Sequence, residues 1–129
     1  MTESEFKALA AQGFNRVPLV LETFADLDTP LSVYLKLANQ PYSYLLESVV
    51  GGERFGRYSF IGLAAQQRIE VRGNSFSEYR GSSLLQKTET TDPLAAIQDV
   101  QQRFKAVRLP GLPRFCGGLV GYFAYDTVR

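Results

Sequence analysis

Two six-residue runs, Gln67 to Arg72 and Ser75 to Arg80, flank the dipeptide Gly73-Asn74. A two-residue loop of this kind joins neighbouring antiparallel strands, because glycine supplies the positive φ that suits their twist. Short strands are expected on either side of this hairpin. They are Tyr44 to Val49, Tyr58 to Gly62, and Leu84 to Thr88 after Gly81-Ser82-Ser83.

Helices are expected outside this region. Thr2 and Glu5 have the spacing of a capping box; Phe6, Leu9 and Ala10 then share one helical face, and Gly13 is placed to stop the helix. Thr29-Pro30 is an N-cap followed by proline at the first helical position. Leu31, Tyr34, Leu35 and Ala38 then form an i, i+3, i+4, i+7 stripe, which predicts a helix over 30–39. Asp92-Pro93 repeats the device ahead of Leu94, Ile97, Gln101 and Phe104. Two further strands are expected. Val17 to Phe24 is dense in apolar and β-branched residues, and Gly117 to Phe123 follows a linker of Pro110, Gly111 and Pro113. The predicted class is α+β, mainly antiparallel sheet with two or three helices. A strand over 117–125, apolar on both faces, belongs inside a sheet with neighbours on each side. More protein is therefore expected beyond Arg129.

Composition narrows the chemistry. The 129 residues are 45% apolar and 21% charged, as in an ordinary globular domain. Fourteen Lys and Arg against thirteen Asp and Glu leave a net charge of +1 with no run of either sign. That argues against a nucleic-acid or membrane-surface binder, both of which need a concentrated positive field. There is no histidine, so Ser-His-Asp and Cys-His catalysis and any His-containing metal site are excluded. The single cysteine, Cys116, excludes an intrachain disulfide and fits a reducing compartment. No apolar run approaches the ~20 residues of a membrane span, and Thr2-Glu3-Ser4-Glu5 is unlike the start of a secretory signal. A cytoplasmic location is expected.

The candidate sites are sparse. Gly51 and Gly56 have the gap of a phosphate loop, but Arg57 and Tyr58 stand where Lys and Ser or Thr are needed, and Glu53 would oppose a phosphate. The stretch reads as a connection between strands. Glu47 and Ser48 close the first strand of the middle region. A carboxylate there suits the ammonium of a small zwitterion, while a hydroxyl with nearby backbone N–H groups suits its carboxylate; equally, the pair marks where the strand leaves the core. Asp26 and Asp28 suit the start of a helix. Asp126 suits a strand end or a pairing with Arg129, and Cys116 reads as a small buried residue. No catalytic residue and no metal-ligand set emerges.

Three blocks resemble one family. Asp28-Thr29-Pro30-Leu31-Ser32-Val33-Tyr34-Leu35-Lys36-Leu37 is similar to the "TPVSAYLKL" segment near the start of anthranilate synthase component I. Tyr44-Leu45-Leu46-Glu47-Ser48-Val49, with Gly56-Arg57-Tyr58-Ser59-Phe60-Ile61-Gly62, resembles its "LLES…RYSFIG" block. Gly117 to Arg129 resembles its "GGxVGYxxYDxVR" block. The blocks occur in family order and cover nearly the whole chain.

The resemblance implies an N-terminal regulatory region, residues 1–129, of a larger two-domain enzyme that makes anthranilate from chorismate in tryptophan biosynthesis. It implies Mg²⁺ in the chorismate site, ammonia delivered by a glutamine amidotransferase subunit, and feedback inhibition by L-tryptophan. Ser48 is the family's feedback position, with Glu47, Leu46 and Leu45 beside it and Arg57, Tyr58 and Ser59 lining the same pocket. The remaining pocket wall, the catalytic histidine and the acidic magnesium ligands are implied to lie after residue 129, in the chain's own C-terminal catalytic domain. The nearest alternative is aminodeoxychorismate synthase component I, of the folate branch; the Leu45-Leu46-Glu47-Ser48 block favours the anthranilate branch. A stand-alone amino-acid-binding or interaction module is a different class of reading. The isolated piece is further expected to be inactive and to self-associate through exposed strand edges or apolar surface.

Overall fold

The computed structural model describes residues 1–47 and 58–125. These residues fall into two compact units, one built from Met1–Leu21 with Asp92–Arg129, the other from Glu22–Thr91. Each helix start follows from local side-chain chemistry. In the first unit, helix α1 spans Glu3–Ala11 and opens on a capping box. The Thr2 side chain accepts from the Glu5 backbone N–H at 3.2 Å, and the Thr2 N–H donates to the Glu5 carboxylate at 2.7 Å. The helix ends ahead of Gly13, whose φ of 90° lies where other residues are strained.

The last helix of this unit, α3, spans Pro93–Gln102. The Asp92 carboxylate accepts from the Ala95 N–H at 3.0 Å, satisfying one of the donors a helix start leaves open. Its buried residue is Val100, 5% exposed, whereas Leu94 is 57% exposed; the inward face is thus rotated from the Leu94-Ile97-Gln101-Phe104 stripe expected from spacing. Asn15 ties the α1 end of the unit to the α3 end. Its side-chain amide donates to the Arg103 carbonyl at 2.7 Å, and its oxygen accepts from the Lys105 N–H at 2.7 Å. Arg16 pairs with Ala106 in a parallel bridge, and its guanidinium lies 4.6 Å from the Phe104 ring centre.

In the second unit, α2 spans Pro30–Leu37 and ends one cap residue later at Ala38, which is 1% exposed. Thr29 and Ser32 form its capping box, and Ser32 Oγ donates to Asp28 at 2.7 Å. Lys36 Nζ reaches the same carboxylate at 2.6 Å. Strand β1 (Tyr44–Leu46) pairs antiparallel with β2 (Phe60–Gly62) in the register Tyr44↔Gly62, Leu45↔Ile61, Leu46↔Phe60. Strands β3 (Gln67–Arg72), β4 (Ser75–Arg80) and β5 (Ser83–Glu89) form an antiparallel meander. Its first turn is Gly73-Asn74, with Gly73 at φ 58°, and the β4–β5 register shifts by a bulge at Glu78/Tyr79. Phe76, 3% exposed, and Ser77, 8%, are buried in the middle strand.

The α+β class, the three helices and the antiparallel pairing agree with the sequence. Two expected strands do not form. Val17 to Phe24 and Gly117 to Phe123 join neither sheet. Pro18 has no N–H to donate to a ladder, and Gly117 and Gly118 sit at φ 146° and 153°, outside ordinary strand geometry. More basically, a strand exists only with a partner for its backbone groups. The consequence is exposed apolar surface: Leu21 at 92%, Phe24 at 96% and Tyr122 at 92%. Cys116 is likewise exposed, not buried as expected.

Candidate functional site

The β1–β2 pair brings together part of the residues singled out in the sequence. Residues far apart in the chain, Leu45-Leu46-Glu47 and Tyr58-Ser59, meet because the ladder sets Leu46 opposite Phe60. Glu47 then follows directly on β1, and Ser59 directly precedes β2. Leu45 is half-buried; Leu46, Glu47, Tyr58 and Ser59 are exposed. The Tyr58 and Phe60 rings lie 6.1 Å apart, tilted by 34°, an arrangement in which aromatic faces and edges attract. Of the sequence-predicted site residues, Ser48 and Arg57 lie outside the described residues, as do Val49, the glycine-rich loop 51–56, Asp126 and Arg129.

The start of β1 is held by α2 and by the meander. From the helix side, the Tyr34 hydroxyl and Ser43 Oγ are 3.0 Å apart, and Ser43 Oγ also donates to the Gln40 carbonyl at 2.7 Å. The Tyr42 carbonyl accepts from the Ala65 N–H at 3.0 Å, continuing past the end of the ladder. Gly62 leaves room for its register partner: a Cβ there would overlap the Tyr44 ring that lies across it.

From the meander side, Arg68 on β3 faces Tyr79 on β4, its register partner, with the guanidinium carbon 4.1 Å from the ring centre. The same guanidinium lies 4.6 Å from the Tyr42 ring centre. Two rings thus flank one cation. Arg68 Nε donates to Glu70 at 3.0 Å and Nη1 to the Gly81 carbonyl at 2.6 Å. The Arg68 hydrogen bond holds the Glu70 carboxyl below its ordinary range, with Arg72 adding to the effect; reciprocally, Glu70 raises the Arg68 guanidinium. The Lys36 and Ser32 hydrogen bonds lower the Asp28 carboxyl in the same way.

Sequence reading missed the Tyr42–Arg68–Tyr79 stack. Half of it was available, since a two-residue turn at Gly73-Asn74 places Arg68 opposite Tyr79. The contribution of Tyr42 had no local signal. Among the described residues no three acidic or cysteine side chains gather as a metal site, and no helix is long and apolar enough to cross a membrane.

The chain is 55% identical to anthranilate synthase component 1 of Neisseria meningitidis serogroup B over 128 residues, 99% of this chain and 26% of that protein. It is 51% identical to anthranilate synthase component 1 of Pseudomonas aeruginosa over 129 residues, 100% of this chain and 26% of that protein. The protein of that name from Aquifex aeolicus is 42% identical over 120 residues, 92% of this chain and 24% of its own length. The chain therefore spans about a quarter of the length of the curated relatives it matches. No protein-family profile matches it, and no solved structure does.

Proposed function

We propose that this chain, which belongs to the anthranilate synthase component 1 family along its whole length, is the N-terminal regulatory part of that enzyme and carries half of an L-tryptophan feedback site. The parent reaction converts chorismate and ammonia to anthranilate and pyruvate, the first committed step toward tryptophan. The ammonia comes from glutamine through a separate amidotransferase component. The rest of the chain supplies the chorismate site and its Mg²⁺.

One observation supports the regulatory reading: the two sequence blocks that the family resemblance assigns to the inhibitor are hydrogen-bonded neighbours, Leu46 against Phe60. Glu47 is exposed at the end of β1, where its carboxylate is available to a ligand ammonium. The adjacent Ser48 hydroxyl would take the ligand carboxylate, and the leucines and the Tyr58 ring offer apolar contact. The ligand suppresses catalysis only by binding the inactive arrangement more tightly than the active one.

The test uses the full-length enzyme with chorismate, Mg²⁺ and ammonia, following anthranilate by fluorescence. Anthranilate formation that tryptophan suppresses in the parent, and suppresses far less in Ser48→Phe at unchanged kcat, is the expected result. An enzyme that consumes chorismate without making anthranilate belongs to the folate branch. A Ser48→Phe enzyme as tryptophan-sensitive as its parent overturns the site assignment.

A further inference from the structure

Strand β1 is short, and contacts from two neighbouring elements meet at its beginning. Tyr42, two residues ahead of β1, has φ 64°, a left-handed conformation that a bulky residue adopts only when its surroundings enforce it. Its ring rests on Arg68, and its carbonyl holds the Ala65 N–H. Arg68 is in turn fixed by three groups of the meander: the Tyr79 ring, the Glu70 carboxylate and the Gly81 carbonyl. Its side chain is only 21% exposed, so it cannot move without breaking several contacts together. The guanidinium thereby bridges the three-stranded sheet to the start of the two-stranded one.

We propose that Arg68 is a positioning residue for tryptophan inhibition: clamped between Tyr42 and Tyr79, it sets where β1 begins and so where Glu47 at its end is presented. This rests on the reading of the β1–β2 pair as part of the tryptophan site. Arg68 touches neither ligand nor substrate; it acts through Tyr42. Removing the clamp frees the left-handed Tyr42 backbone and lets β1 sample positions other than the one that presents Glu47. Inhibition should then weaken while chemistry, performed elsewhere in the enzyme, continues.

The experiment compares tryptophan inhibition curves with kcat and KM for chorismate in the full-length enzyme. Arg68→Met is expected to raise the half-inhibitory tryptophan concentration roughly tenfold, within the range of ordinary coupling between sites, with kcat and KM close to the parent. Tyr42→Gly removes the ring while suiting the positive φ, so it tests the same contact without adding backbone strain, and the same shift is expected. Tyr42→Phe and Tyr79→Phe keep the ring faces and are expected to retain parental sensitivity. Parental sensitivity in both Arg68→Met and Tyr42→Gly overturns the proposal, as does a loss of kcat in proportion to the loss of sensitivity, which is the signature of a merely structural residue. Parental enzyme that tryptophan does not inhibit, or Ser48→Phe that stays sensitive, instead overturns the site reading and the proposal with it.

Discussion

The Glu70 carboxylate receives Arg68 at 3.0 Å and Arg72 at 3.5 Å, and Asp28 receives Lys36 and Ser32. Both carboxyls are held below their ordinary values of 4.5 and 3.8 in the folded chain. A carboxyl lowered by folding contributes stability that is complete above its unfolded pKa and is lost as pH falls through the folded one. The folded chain is therefore expected to lose stability from about pH 4.5 downward. Glu70→Gln and Asp28→Asn, which cannot titrate, should flatten that acid limb in urea titrations at a series of pH values. Acid limbs identical to the parent's would show that these pairs contribute nothing. Gly62 is a second residue-scale constraint: Gly62→Ala must displace the half-buried Tyr44 ring, and is expected to lower the urea midpoint of unfolding; an unchanged midpoint would mean that the ring moves aside freely.

Among the elements, those with local causes are the ones the sequence made readable. Thr2 with Glu5, Thr29 with Pro30, and Asp92 with Pro93 all start helices as their spacing predicts, and the structure adds Ser32 as the return partner of Thr29. Gly73-Asn74 sets the register of β3 on β4 in the same way. No atom lies within 4 Å of a Cβ placed on Gly73, so a substitution there costs only its backbone conformation. Gly73→Ala is accordingly expected to destabilise the meander by about 1–2 kcal/mol, measured by equilibrium urea unfolding; a smaller loss would mean that the turn does not need the left-handed conformation at Gly73. Val17 to Phe24 and Gly117 to Phe123 were misread because composition reports strand propensity, whereas a ladder also needs a neighbour. The β1–β2 pairing was half legible. Each strand is evident by itself, yet their partnership depends on contacts across a long stretch of sequence, as does the approach of Tyr42 to Arg68.

At the scale of the whole molecule, the apolar residues buried among those described are Ala38, Phe76 and Val100. Leu21, Phe24, Leu27, Tyr122 and Tyr125 are each more than four-fifths exposed. Large exposed apolar side chains favour association when they lie together, and the relatives are about four times as long as this chain. We expect residues 1–129 expressed alone to self-associate, with apparent mass in light scattering rising with concentration and falling in Leu21→Ser with Phe24→Ser. A concentration-independent monomer would contradict that reading.

Calorimetric titration of L-tryptophan into the full-length enzyme tests the proposal that the β1–β2 pair binds tryptophan, without relying on catalysis. Saturable binding is expected in the parent, lost or strongly weakened in Ser48→Phe and weakened in Glu47→Gln. Binding of unchanged affinity in both variants would place the tryptophan site elsewhere in the enzyme and contradict the proposal.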